Sequence, residues 1–230
     1  MKPLFILLIW LIPALNTPVP LKTQNDRLWS EEELRMANTA KNAKYLNAQE
    51  KDLVMYMNLA RIDGEKFFNT YFQEFLEEHN KQMVQYSNYR QLRIDKTDRY
   101  YKSLKKDLKS IKDLPVLYPD ESLSWVAQQH AQDMNKYDYA SHKSKDGRSV
   151  KDRISSMYPK RALGENLAFG FSTGLGNVCM LLLDKGVPDL GHRKLILNTS
   201  LKLNYVGVSM EPHKGYKYCS VTDFVGLPPQ

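Results

Sequence analysis

Cysteine is nearly missing from this chain: Cys179 and Cys219 are the only two among 230 residues. They can form one bridge at most. The disulfide framework that lets small exported domains manage without a large core is therefore excluded, and the choice is between a single bridge and two buried thiols. Long apolar runs are missing too. The longest, from Leu4 to Leu15, is broken by Pro13 and falls short of the roughly 20 residues that span a bilayer. No cysteine lies near its end, so a lipid-anchored cleavage box is excluded. There are no internal repeats and no G-x-S-x-G elbow, which removes the support a serine-nucleophile reading of Ser141 would need. There is also no H-E-x-x-H helix to fix two imidazoles on one face.

The residues that are present describe a globular protein with one sizeable domain, 42% hydrophobic and 26% charged. Lys2 followed by the short apolar run reads as a secretory signal peptide over approximately residues 1–24, so the mature chain is expected to be secreted or in the cell envelope, with no stable membrane span. The formal charge of +7 suits anionic surfaces such as acidic glycans or lipid headgroups. Much of that excess lies in "YYKSLKKDLKSIKDL". There Lys102, Lys105, Lys106 and Lys109 share one helical face, opposite a stripe of Tyr101, Leu104, Leu108 and Ile111. This reads as a solvated helix rather than a nucleic-acid surface, and an exported chain is not expected to bind nucleic acid.

Residues 25–46 read as a polar, mobile lead-in with a short helix from Ser30, and the domain proper is expected over residues 47–230. It opens with a capping box, Asn47 with Glu50, ahead of the apolar face of Leu53, Val54, Met57 and Ala60. Gly64 interrupts, and a second helical stripe resumes through Phe68, Phe72, Phe75 and Leu76. Asp120 caps the clearest helix, whose stripe includes Leu123, Val126, Ala127, Ala131, Met134 and Tyr137. His130 lies on that stripe and reads as a core histidine. "ASHKSKDGRS" is a loop, "VKDRISSMY" a short helix, and "NVCMLLLDKG" a helix ending at Gly186. The period then changes. "LNYVGVSMEP" and "YKYCSVTDFVG", joined by "HKG", form an antiparallel hairpin. Helices first and strands last give an α+β order.

Four ionisable residues fall at the ends of these elements: His142, Glu165 in "GEN", Asp184 and His192 in "GHR". If they converge, two imidazoles and two carboxylates suit zinc or a similar divalent ion, with room for water. Alternatively the carboxylates hold the imidazole N–H groups, or the four are unrelated surface and capping residues. Asn166 reads as an anchor for the "GEN" loop, Arg193 as an ion-pair partner of Asp184 or Asp189, and His213 as a surface residue in the hairpin turn.

Taken in order, "NLARIDGEKF", "LSWVAQQHAQDM", "SHKSKDGRS", "LGENLAFG", "LLLDKGVPDLGHRKLILN" and "YVGVSMEPHKGYKYCSVTDFVG" resemble bacterial members of the CAP superfamily (cysteine-rich secretory, antigen 5 and pathogenesis-related proteins), also called the SCP domain. The resemblance runs from about Asn47 to Gly226. It implies an α-β-α sandwich with a small, mainly antiparallel sheet between helical layers. It also implies a shallow cleft lined by His142, Glu165, Asp184 and His192, with His142 and His192 able to take a divalent cation. Asp184 stands where eukaryotic relatives often carry Glu, and Glu78 and Asp189 are its alternatives. "GHRKLIL" replaces the eukaryotic "GHYTQ"-like stretch and the cysteines are few, so sterol-binding and venom activities are not carried over. Three functions are consistent with this pattern. The favoured one is an extracellular binding module for a divalent cation and a small ligand, glycan, lipid or envelope component. The alternative is a metal-dependent peptidase or esterase with Glu165 as general base, and the third is a purely structural tetrad.

Overall fold

The computed structural model describes residue 25 and residues 28–198 and 201–227; the expected signal peptide lies outside these residues. Among them, no helix is long and apolar enough to cross a membrane.

Two capping boxes start the first two α-helices of the described residues. Ser30 with Glu33 opens α1 (Glu31–Ala37), and Asn47 with Glu50 opens α2 (Ala48–Ile62). The segment expected to be a mobile lead-in is instead packed. Trp29, Ala37, Ala40 and Leu46 are buried in the main core, and Trp29 Nε1 donates to Thr70 Oγ1 at 3.2 Å. Its polar residues had hidden an apolar anchor whose hydrogen-bond partner lies 41 residues away. Next come α3 (Gly64–Phe67), a π-helical turn (Phe68–Phe72) and α4 (Gln73–Met83), which present the expected aromatic stripe. After α5 (Tyr89–Leu92), α6 (Arg99–Lys109) buries Tyr101, Leu104 and Leu108 and leaves its lysines exposed.

The sheet has the order β1-β3-β4-β2. β1 (Tyr118–Pro119) is a short parallel addition to β3 (Tyr205–His213), which forms the expected hairpin with β4 (Lys217–Val225). β2 (Leu163–Phe169) carries the "GEN" segment as a strand antiparallel to β4. Successive strand residues point to opposite faces, and here both faces are covered. Leu167, Phe169, Cys219 and Val221 pack beneath α7 (Glu121–Tyr137), while Ala168, Val206, Val208 and Phe224 join the cluster built by α2 and α9 (Gly174–Leu183). The result is an α-β-α sandwich. Gly207 is required for its first layer, because a Cβ there would run into the Leu123 backbone of α7. Cys179 and Cys219 are buried and free on opposite sides of the sheet, so the single-bridge reading does not hold. Two short helices, α8 (Val150–Ile154) and α10 (Gly191–Ile196), flank β2 and complete the frame of the site.

Candidate functional site

His142 sits in the loop that follows α7, and two neighbours hold that loop in shape. From α7, His130 Nε2 bonds the Ser141 carbonyl at 2.9 Å and its Nδ1 lies 3.4 Å from Ser144 Oγ. From α8, Arg153 Nη1 donates to the His142 carbonyl (3.0 Å), Ser144 Oγ (3.1 Å) and the Arg148 carbonyl (3.2 Å). His130 is thus the buried core histidine expected, and it also fastens the loop.

The His142 ring meets Glu165 on β2, with Nδ1 2.7 Å from Oε1. The other oxygen, Oε2, accepts from Arg153 Nη2. Across the ladder Glu165 pairs with Asp223 of β4, on the face covered by α7. Asp223 is fully buried, and among the described residues no donor group reaches either of its oxygens. Two adjacent carboxyl groups out of water are tolerated only with a proton between them. Burial raises Asp223 well above the usual carboxylate range, and the neighbouring Glu165 charge raises it further. Burial also pushes Glu165 up to about 7, against the pull of Arg153. Because Arg153 pairs with Glu165, the proton rests on Asp223, and the one guanidinium and one carboxylate then balance.

Burial lowers His142 to about 4, with the positive fields of His192 and Arg153 acting in the same direction. At neutral pH the ring is therefore uncharged. Its Nδ1–H donates to Glu165, and Nε2 keeps its lone pair, with no hydrogen-bond partner among the described residues.

His192 is held in the same manner by a different device. Asp184 ends α9 in the left-handed region (φ 56°). Its Oδ1 lies 2.7 Å from His192 Nδ1, and its Oδ2 accepts the Arg193 N–H at 3.1 Å. Asn166 Nδ2 donates to the His192 carbonyl at 3.1 Å, tying α10 to β2 as its sequence context suggested. Asp184 is thus the acid that holds His192. Glu78 is exposed and bonded to Gln82, and Asp189 is exposed.

Two expectations are corrected. Arg193 pairs with neither Asp184 nor Asp189 through its side chain; it turns inward to Asp107 (2.9 Å) and to the carbonyls of Leu182 and Leu183. His213 is buried rather than superficial, edge-on to Phe169 and bonded through Nε2 to the Tyr139 carbonyl. Sequence reasoning missed Arg153 and Asp223. Asp223 did carry a signal, since it shares strand parity with the buried Cys219, Val221 and Val225.

The donor set fits a divalent cation in one particular way. Both imidazoles present Nδ1 to a carboxylate, which leaves Nε2 as the free lone pair on each ring. Among the described residues no group of three or more His, Cys, Asp or Glu could hold a metal. An ion would therefore take His142 and His192 from the protein and its other ligands from water or a bound molecule.

Comparison with protein families matches residues 86–224, more than half of the chain, to CAP, described as the Cysteine-rich secretory protein family. Among solved structures, an extracellular protein containing a SCP domain from Bacillus anthracis str. Ames is 28% identical, with a TM-score of 0.41 over 50% of this chain; the chain spans 35% of that protein's length. An outer surface protein from Borrelia burgdorferi is 22% identical, with a TM-score of 0.42, covering 59% of this chain and 97% of its own. Comparison with curated proteins gives no match.

Proposed function

The chain belongs to the Cysteine-rich secretory protein (CAP) family, and we propose that its His142–Glu165 and His192–Asp184 pairs form an extracellular site for a divalent cation, zinc being the best suited, and for a ligand that completes its coordination. The observation that carries this reading is the shared orientation of the rings: each Nδ1 is engaged by a carboxylate at 2.7 Å. That arrangement fixes the tautomer and raises the basicity of Nε2. The bound ion would supply a Lewis-acidic position for a ligand oxygen. The short apolar run after Lys2 supports export, and the excess of lysine favours a small ligand, glycan, lipid or envelope component of anionic character.

Binding is favoured over hydrolysis because Glu165 has no open oxygen. Oε1 serves His142, Oε2 serves Arg153, and the side chain is fully buried. A general base must reach the proton it removes, and Glu165 does not face solvent. Zinc titration calorimetry, with metal analysis of the exported protein, tests the site. One equivalent of ion is expected, and H142A/H192A should abolish uptake while the protein stays folded. Unchanged stoichiometry in the double variant would overturn the reading. Turnover of ester or peptide libraries that is lost in E165Q would restore the hydrolytic one.

A further inference from the structure

A second concavity opens at β3, separated from β2 by β4. β1 pairs only with Tyr205 and Val206, so β3 beyond them is an edge. Its outward N–H groups are taken by side chains: Val208 N–H by Ser124 Oγ at 3.2 Å, and Met210 N–H by Glu50 Oε1 at 2.9 Å. An edge closed this way resists pairing with another strand. The residues that close it nevertheless leave a cavity of about 140 Å³. That is close to the roughly 150 Å³ that takes up one benzene ring, so the space suits a single small headgroup.

Its lining is aromatic and acidic. Trp125, 60% exposed, and Tyr45, 37% exposed, supply the rings, and Glu50 and Glu121 the carboxylates. Asp120 and Glu211 extend the negative field. Asp120 and Glu121 reinforce the effect of burial on the Tyr45 hydroxyl, which is pushed up to about 12, and Glu211 acts on Glu50. Among the described residues no lysine, arginine or histidine lines the cavity, although the chain as a whole carries a charge of +7. In the cavity wall Ser209, only 1% exposed, holds an Oγ with no hydrogen-bond partner.

Ring faces attract cations through their quadrupoles, and this attraction is the recognition chemistry of quaternary ammonium groups. A phosphate or carboxylate ligand would meet repulsion on every charged wall. We propose that this cavity binds an alkylated ammonium group, of the kind carried by choline, between Trp125, Tyr45 and Glu121. The site shares no residue with the His142–His192 cleft and does not depend on a metal there.

Choline chloride titrated into the full chain, read by tryptophan fluorescence and amide chemical shifts, tests the assignment. The chain has three tryptophans; Trp29 is buried, Trp125 is exposed and Trp10 lies outside the described residues, so loss of the fluorescence response in W125A is what assigns it to Trp125. Saturable binding is expected, weakened about tenfold in W125A and several-fold in E121Q. Both positions are exposed, so the variants should keep the native circular dichroism. The uncharged isostere 3,3-dimethylbutan-1-ol should bind at least about tenfold more weakly. H142A/H192A should bind choline as the parent does, which separates this site from the metal reading. Phosphatidylcholine vesicles distinguish the sources: retention lost in W125A identifies a lipid headgroup, and free choline binding without retention identifies the small cation. Equal affinity for the uncharged alcohol, unchanged binding in W125A, or no saturation by ~100 mM choline would overturn the proposal.

Discussion

His192 and His142 reach the proposed site by opposite routes. His192 and Asp184 are eight residues apart, joined by one turn between α9 and α10, with Asp184 and Leu190 both in the left-handed backbone region. The pair needs little beyond its own segment. His142 and Glu165 are 23 residues apart and meet only after the α7 loop, α8, β2 and β4 have assembled around Arg153 and Asp223. The local pair is fixed by backbone geometry, the assembled pair by charge balance in a buried space. A change in the electrostatics should therefore disturb His142 and leave His192 in place.

Replacing Arg153 should separate the two pairs most sharply. R153M leaves the Glu165 carboxylate buried without its cation and the His142 loop without its clamp, at a cost of about 3–5 kcal/mol. Urea unfolding measures the loss, and the His192 ring resonances should keep their positions while those of His142 move. A loss below about 1 kcal/mol would mean that Glu165 is not ionised in the folded state. Acid comes next. His130 and His142 are lowered from 6.5 to about 4, in each case first by burial. The unfolded chain takes up these protons below about pH 6.5, whereas the folded chain does so only near pH 4. Their stabilising contribution is thus complete above about pH 6.5 and disappears as the pH falls through about 4, on the order of 3 kcal/mol for His130. Thermal melts between pH 7 and 4 should show this slope, and H142Q should reduce it.

These contrasts follow what could be read from the sequence. The Asn47–Glu50 capping box, the α7 stripe and the terminal hairpin are local patterns, and each appears where the spacing of residues put it, except that Tyr137 at the end of the stripe is exposed. The Asp184–His192 pair was similarly accessible through its short separation and its resemblance to known relatives. Arg153 was not: nothing in "VKDRISSMY" distinguishes a buried guanidinium from one on a solvated helix, because its partners belong to a loop and a strand. Asp223 stood on the buried parity of a strand, a signal visible only once the face beneath α7 is known to be covered. Trp29 was missed for the same reason, as an isolated ring in a polar stretch whose partner Thr70 arrives with the next helices.

Removing the acid of the local pair should have a smaller and confined effect. In D184N the side-chain oxygen can still accept one hydrogen bond, so a loss of about 1–2 kcal/mol is expected. Zinc affinity should fall through misorientation of His192, while the His142 resonances remain unchanged. Calorimetry and ring spectra on the same sample check both halves of this expectation.

The finest distinction is whether Asp223 carries the shared proton. D223N replaces the protonated carboxyl with an amide that donates to Glu165 at every pH, so near neutrality the stability should change by less than about 1 kcal/mol. The pH profile should change more. Burial raises Glu165 to about 7 and holds Asp223 well above the usual carboxylate range. In the parent, the unfolded carboxyls release their protons near pH 4 while the folded pair retains its own, so the pair's contribution is fully present below about pH 4 and declines as the pH rises from there through the raised folded values. The variant has no second carboxyl to ionise, so its stability should stay level across that range and exceed the parent's at about pH 9. Urea midpoints at three pH values decide the point. Parallel curves for parent and variant would show that no proton is shared, and would leave Arg153 as the sole counterweight to two buried charges.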